Sequence, residues 1–272
     1  MMPVLQIGPV ALPLPSLLLI AGLWLGLELT ERFASRHAST TGRPDASQVY
    51  NLIMLMLAAG LIGARLTYVL RYPSEFAASP TSLFSLDPGL LDPAGGLAGA
   101  LIAGLVYGQR KKLAFWPTLD AVTPLLAVLA VALALSHLAS GAAFGAPTSL
   151  PWGLELWGAR RHPSQLYELA AAVLILILIW PGREVWKTAP AGQQFLLFMA
   201  LSAGARLLLE TFRGDSVFLP LSLPWGHPRL AQAAAWLVLA LSLWGLHRLP
   251  AAADTPVSPP GATSDPAVHV KQ

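Results

Sequence analysis

PTLDAVTPLLAVLAVALALSHLA, residues 117–139, decides the fold. Asp120 is its sole formal charge, and Ser136 and His137 stand near its far end. About 20 apolar residues in an α-helix rise ~30 Å, the thickness of the bilayer hydrocarbon. A run of this length and composition predicts a membrane-spanning helix. Six more apolar runs accompany it, at residues 10–29, 49–70, 95–108, 166–181, 193–212 and 230–247. The run at 95–108 is short and rich in Gly and Ala, which suits a tilted helix or one packed closely on its neighbours. The chain is therefore expected to be an all-α integral membrane protein, a bundle of about seven transmembrane helices.

Composition points the same way. Of 272 residues, 55% are hydrophobic and 11% charged, and the mean hydropathy is +0.59. Soluble domains carry about 25% charged residues to keep a folded surface wet, so most of this surface must face lipid. The formal charge of +3 is too small and too scattered for a nucleic-acid groove. Cysteine is absent, which excludes a disulfide framework, a thiolate metal site and a cysteine nucleophile. No metal site and no cofactor is expected. Residues 1–8 lack Lys and Arg, whereas a secretory signal needs a positive n-region, so the first run reads as a retained span.

Basic residues set the orientation. Arg32, Arg36 and Arg43 follow the first run, and Arg110, Lys111 and Lys112 follow the third. Arg183 and Lys187 follow the fifth, and Arg248 and Lys271 follow the seventh. Under the positive-inside rule these alternate loops are cytoplasmic, with the N-terminus outside and the C-terminus cytoplasmic. Residues 1–249 then form one transmembrane domain. Residues 250–272, rich in Pro, Ala, Ser and Thr, form a disordered cytoplasmic tail. The outer loop 72–94 is too long for a simple turn and predicts an interfacial element. Trp152 and Trp157, in the turn-rich stretch 141–165, suit the headgroup layer.

Polar residues inside apolar runs carry the functional reading. An arginine at mid-membrane costs about 2.5–3.5 kcal/mol, so it is rarely idle. Arg206, Glu210 and Arg213 recur at i, i+4 and i+7 of the sixth run, on one face of a helix. They read either as an internal ion pair that fixes packing or as a cationic site for a lipid phosphate. Arg65 reads as a structural or snorkelling residue. The string RHPSQLYE, Arg161–Glu168, enters the fifth run. Pro163 suits a first helical position, but His162, Gln165, Tyr167 and Glu168 make a denser polar run than a helix start requires. His137, flanked by Ser136 and Ser140, reads as a hydrogen-bonded imidazole or as a proton acceptor. Acidic pairs and broken helices are missing from the runs, which argues against a transporter.

RHPSQLYE resembles a long, specific string of the prolipoprotein diacylglyceryl transferases. GAPTSLPWG at Gly145–Gly153 is similar to that family's GRPTDLPWG, GARL at Gly63–Leu66 matches directly, and Gly95 and Gly96 match the glycines of its HGG. Arg206, Glu210 and Arg213 resemble its spaced R…E…R, and Gln232 a glutamine of its last span. The resemblance covers roughly residues 8–247. It implies transfer of the diacylglyceryl group from phosphatidylglycerol to the thiol of a prolipoprotein lipobox cysteine. This would occur at the outer face of a bacterial plasma membrane, with the lipid bilayer, phosphatidylglycerol and the prolipoprotein as partners and no nucleic acid. It implies a substrate site built from Arg206, Glu210, Arg213, His162, Gln165, Tyr167, Glu168, Gly95, Gly96 and Gly145. Several family residues differ. Ala94 stands where the family has histidine, Ala134 where it has arginine, and His137 where it has asparagine. Ala142 replaces a glutamate, and Pro15 and Ser202 replace tyrosines. Two readings follow: a transferase in which His137 is the catalytic base, or a catalytically silent phospholipid- or lipoprotein-binding membrane protein.

Overall fold

The computed structural model describes residues 4–7, 10–37, 44–78, 90–220 and 229–249. The tail expected at 250–272 and the middle of the 72–94 loop lie outside the described residues, as do His227 and His269. Every apolar run contains a helix: α1 (Leu14–His37), α2 (Ala46–Arg71), α4 (Pro93–Arg110), α5 (Phe115–Ser140), α6 (Ser164–Leu178), α8 (Gln193–Leu209) and α9 (Leu230–Arg248). Two short helices, α3 (Pro73–Ala78) and α7 (Val185–Thr188), lie between them. The chain is mostly helical but not all-α. An antiparallel hairpin of β1 (Val4–Ile7) and β2 (Val10–Pro13) precedes α1, and β3 (Leu154–Leu156) pairs with β4 (Ala159–Arg161) before α6. The second turn needs two left-handed residues, Trp157 and Gly158, which no hydropathy pattern reports.

Among the described residues, five helical segments are long and apolar enough to cross a membrane: Leu14–Phe33, Ala46–Arg71, Phe115–Ser140, Gln193–Phe212 and Leu230–Arg248. Large apolar side chains stand exposed on them, among them Ile62, Leu70, Leu208, Trp236 and Leu241. A water-facing surface would not carry such a load, and lipid satisfies it. The chain is a multi-pass membrane protein.

α5 is the central helix. Half of its most apolar window is buried, against at most 28% in the other four candidates. One core joins Ala121 and Leu125 of α5 to Val49 and Ile53 of α2, with Leu23 and Leu27 of α1 against them. A second joins Ala127 to Ile175 and Ile179 at the end of α6, Trp186 of α7 and Phe198 of α8. α1 lies on α5 through Gly22, where a Cβ would fall 2.2 Å from that of Ala132. Between α2 and α4 the backbones approach still more closely. A Cβ on Gly63 would lie 2.5 Å from the Gly95 carbonyl oxygen. The Gly/Ala-rich composition of 95–108 is thus used for close helix packing, as expected.

Asp120 sets the height of α8 against α5. Its carboxylate, 3% exposed, accepts the Gly192 N–H at 2.6 Å and the Phe195 N–H at 2.9 Å. These are orphan donors of the first turn of α8, and the helix dipole favours an anion there. Gln194 donates to the Ile179 carbonyl at 2.9 Å and ties the same end to α6. α5 and α8 therefore run parallel, with α6 antiparallel between them. The ends of α5 and α8 and the starts of α6 and α9 meet at the opposite face of the bundle.

Candidate functional site

Glu168 is where that face converges. It sits near the start of α6, whose amide end favours an anion, while His137 and Arg206 occupy the last turns of α5 and α8, whose carbonyl ends favour cations. One Glu168 oxygen, Oε1, accepts from Arg213 Nη1 at 2.6 Å and from Arg206 Nη1 at 3.2 Å. The other, Oε2, lies 2.9 Å from His137 Nδ1. A carboxylate clamped by two guanidiniums is an acceptor, so the hydrogen of this contact lies on Nδ1, and Nε2 carries the lone pair whenever the ring is neutral. No partner of Nε2 is found among the described residues.

Glu210 stands behind this layer, 1% exposed. Its Oε2 is 2.9 Å from Arg206 Nη2 and 4.0 Å from Arg213 Nε, yet no N–H is aimed at it in hydrogen-bonding geometry. The Arg206–Glu210 contact is therefore electrostatic. Arg229, at the entry to α9, donates through Nη1 to the Glu210 carbonyl. Arg213 is also forked on Asp215, with Nε to Oδ1 at 2.9 Å and Nη2 to Oδ2 at 2.8 Å. Burial alone would lower the Arg213 guanidinium, but its bonds to Asp215 and Glu168 outweigh that and hold it above the ordinary arginine range. Three guanidiniums (206, 213, 229) and three carboxylates (168, 210, 215) gather here; Arg206 and Arg213 contact the carboxylates, while Arg229 meets a backbone carbonyl.

The helical face expected for Arg206, Glu210 and Arg213 is only partly helical. α8 ends at Leu209, Glu210–Phe212 is a 3-10 turn, and Arg213 is extended at φ −82°, ψ 141°. The chain leaves the helix because its backbone bonds across to the loop after α5: Ala146 N–H to the Phe212 carbonyl at 2.8 Å and Gly214 N–H to that of Phe144 at 2.9 Å. Arg213 reaches Glu168 by this crossing and not by helical spacing.

The RHPSQLYE string builds both the site and its scaffold. Ser164 Oγ donates to the Ala143 carbonyl at 2.6 Å and Gln165 Nε2 to that of Ala142 at 3.0 Å, so the start of α6 staples the turn that follows α5. Ala143 itself is left-handed, with φ 55°. Gly145 lies beneath His162, where any Cβ would come within 2.1 Å of the His162 carbonyl oxygen. The His162 ring rests on Phe212 at 5.2 Å, and Tyr167 meets Phe212 edge-on at 5.7 Å. Tyr167 Oη accepts the Trp152 indole N–H at 3.0 Å. Gln165 Oε1 and His162 Nδ1 are buried without a partner among the described residues. Gly95 and Gly96 lie in the α2–α4 packing surface and take no part in the ion network; the Gly95 N–H caps onto Asp92 at 2.8 Å.

Beside Arg206 a groove of about 330 Å³ opens between α8 and α9, walled by Ser202, Ala203, Ala231, Ala234 and Ala235. Small side chains leave the space, and Arg206, with its side chain 37% exposed, reaches it from the polar cluster. Sequence reasoning passed over Asp215, Arg229 and Asp120. A lone acid inside an apolar run was the available signal for Asp120; Asp215 is a loop residue two positions from its partner Arg213, and Arg229 is one whose partner lies 19 positions away.

Ala94, Ala134 and Ala142 bring no polar side chain to this site. Ala134 is a buried residue of α5, and Ala142 contributes only its carbonyl.

The chain matches the prolipoprotein diacylglyceryl transferase family over residues 3–248. A phosphatidylglycerol–prolipoprotein diacylglyceryl transferase of Bordetella bronchiseptica is 32% identical over 224 residues, which cover 80% of this chain and 84% of that protein. The protein of that name from Geobacter sulfurreducens is 34% identical over 204 residues, covering 72% and 76%. That from a Nostoc species is 29% identical over 255 residues, covering 89% and 86%. The strings around Gly145 and Glu168, the ion network they build and these matches lead to one conclusion: the chain belongs to the prolipoprotein diacylglyceryl transferase family.

Proposed function

We infer that the chain binds phosphatidylglycerol at Arg206 and transfers its diacylglyceryl group to the cysteine thiol of a prolipoprotein lipobox, with His137 as the base. The observation that carries this reading is the position of Arg206. One guanidinium touches both an apolar groove that a lipid can enter and the carboxylate that orients His137. In the reaction the thiol sulfur attacks the glyceryl carbon. The C–S bond forms as the C–O bond to phosphate breaks, the thiol proton passes to His137 Nε2, and glycerol phosphate leaves. Arg206 keeps its Nε–H for the departing phosphate, and a protonated His137 adds the positive charge that the otherwise balanced cluster lacks. His162, Gln165, Tyr167 and Glu168, with Gly145 beneath them, form the outer wall of the substrate site, and Glu210 and Arg213 its charged floor. Gly95 and Gly96 act on it only indirectly, by letting α4 pack closely on α2.

The competing reading, phospholipid binding without transfer, is favoured by Ala134 and by the carboxylates that already pair with Arg206 and Arg213. Transfer of label from phosphatidylglycerol to a lipobox peptide by the purified chain, with rescue of a transferase-depleted strain, decides between them. Product and rescue are expected from the parent, and both are expected to fall steeply in Arg206→Lys, which keeps the charge but loses the planar fork. No product and no rescue by the parent would leave only the binding reading.

The same inference extends to topology: seven spans, with α4 and α6 the short ones, the N-terminus outside, and the polar cluster at the outer face of a bacterial plasma membrane. Alternation of the basic loops supports it, as does a helix in every apolar run. A reporter fused after Lys112 is expected to read cytoplasmic and one near Pro151 external. An external Lys112 would overturn the orientation.

A further inference from the structure

A second groove, of about 480 Å³, lies between α8 and α9 at the end of the bundle opposite the polar cluster. Its walls are Trp116 at the start of α5, Phe195 and Leu196 at the start of α8, and Val238, Leu241 and Trp244 late in α9. The floor makes no polar demand, because Ser242 is buried with its hydroxyl donated to the Val238 carbonyl at 2.7 Å. Trp116 is held in place by Gly192, where a Cβ would fall 2.6 Å from the indole. Gly192 is itself fixed by Asp120, so this wall is preformed.

At the mouth stands Arg248, in the last turn of α9 beside His247. Its guanidinium lies over the Trp244 ring at 5.4 Å. Among the described residues no carboxylate pairs with it, in contrast to Arg206 and Arg213 at the other end. A cation with an indole beside it, closing an apolar slot on a lipid-facing surface, is complementary to an anionic headgroup above an acyl chain.

We propose that this groove is a binding site for an anionic phospholipid of the leaflet opposite the polar cluster, with one acyl chain along Phe195, Leu196 and Leu241 and its phosphate on Arg248. α9 rises about 28 Å over its length; the two grooves meet at Met199 and Val238, but Arg206 and Arg248 stand near its opposite ends, so one phosphate cannot reach both, and the proposal does not depend on the Arg206 reading.

The test counts lipids retained by the full-length chain in native mass spectrometry, titrated with dioleoylphosphatidylglycerol against a phosphatidylcholine background. The parent is expected to hold two anionic lipids. Arg248→Ala should weaken one of them about fivefold and leave transfer to a lipobox peptide unchanged. Leu241→Trp, which fills the slot from an exposed position and keeps Arg248, should lose the same lipid. Arg206→Ala should lose only the other, so loss at Arg248 with none at Arg206 would sink the Arg206 reading and spare this one. Retention of both lipids by Arg248→Ala and by Leu241→Trp would overturn the proposal. So would free glycerol phosphate binding that needs Arg248 and ignores Leu241→Trp, since the site would then recognise phosphate without a chain.

Discussion

Replacing Glu168 by Ala should destabilise the chain by about 3–5 kcal/mol in detergent unfolding and abolish lipid transfer, because one carboxylate holds three partners at once. Arg213 and His137 are mostly buried, at 11% and 26% side-chain exposure, and would be left facing each other with no anion between them. Removing one member of a buried ion pair costs far more than the pair contributes, since the survivor stays desolvated. Glu168→Gln separates structure from chemistry. Its amide can still accept from Arg213, but its NH2 cannot accept the His137 Nδ1 hydrogen. Gln should therefore recover much of the stability while transfer stays at least a hundredfold down. Parent-like unfolding together with parent-like transfer in Glu168→Gln would show that the carboxylate does not organise the site.

His137→Ala should lower kcat for transfer by about 10²–10⁴, the range for loss of a positioned proton acceptor, while the KM for phosphatidylglycerol stays near the parent value. The split matters. The ring touches the Glu168 side of the network and not the α8–α9 groove, so lipid capture should survive its loss. Partial recovery with added imidazole would support a missing base over a displaced Glu168. The pair should also be non-additive: once Glu168→Gln has released the ring, removing it should cost little more. Full transfer by His137→Ala would keep the enzyme and discard this base.

Much of the helical scaffold was legible in the sequence. Hydropathy locates every long helix because a span must satisfy all its backbone groups internally, so apolar length translates directly into α-helix. Glycine and alanine at 95–108 announce a close approach. A polar string at the entrance of an apolar run marks a site because such residues are costly there. The string RHPSQLYE and the spaced Arg206, Glu210 and Arg213 pointed to the family to which the chain belongs.

What the sequence could not supply is who meets whom. His137 and Glu168 are 31 positions apart, Arg206 and Glu168 are 38, and Arg213 and Glu168 are 45. Local periodicity carries no information across such gaps, and helical spacing placed Arg213 on a helix it has already left. The pairing depends on the relative heights of α5, α6 and α8, and those heights are set by long-range backbone contacts. Asp120 caps Gly192 from 72 residues away, and Gln165 and Ser164 hold the 142–143 turn. The sequence by itself determined a membrane bundle with charged residues gathered near one face. Only the tertiary structure decided that one carboxylate would bind two arginines and orient a histidine, because a buried charge takes its meaning from the groups packing brings within hydrogen-bonding distance of it.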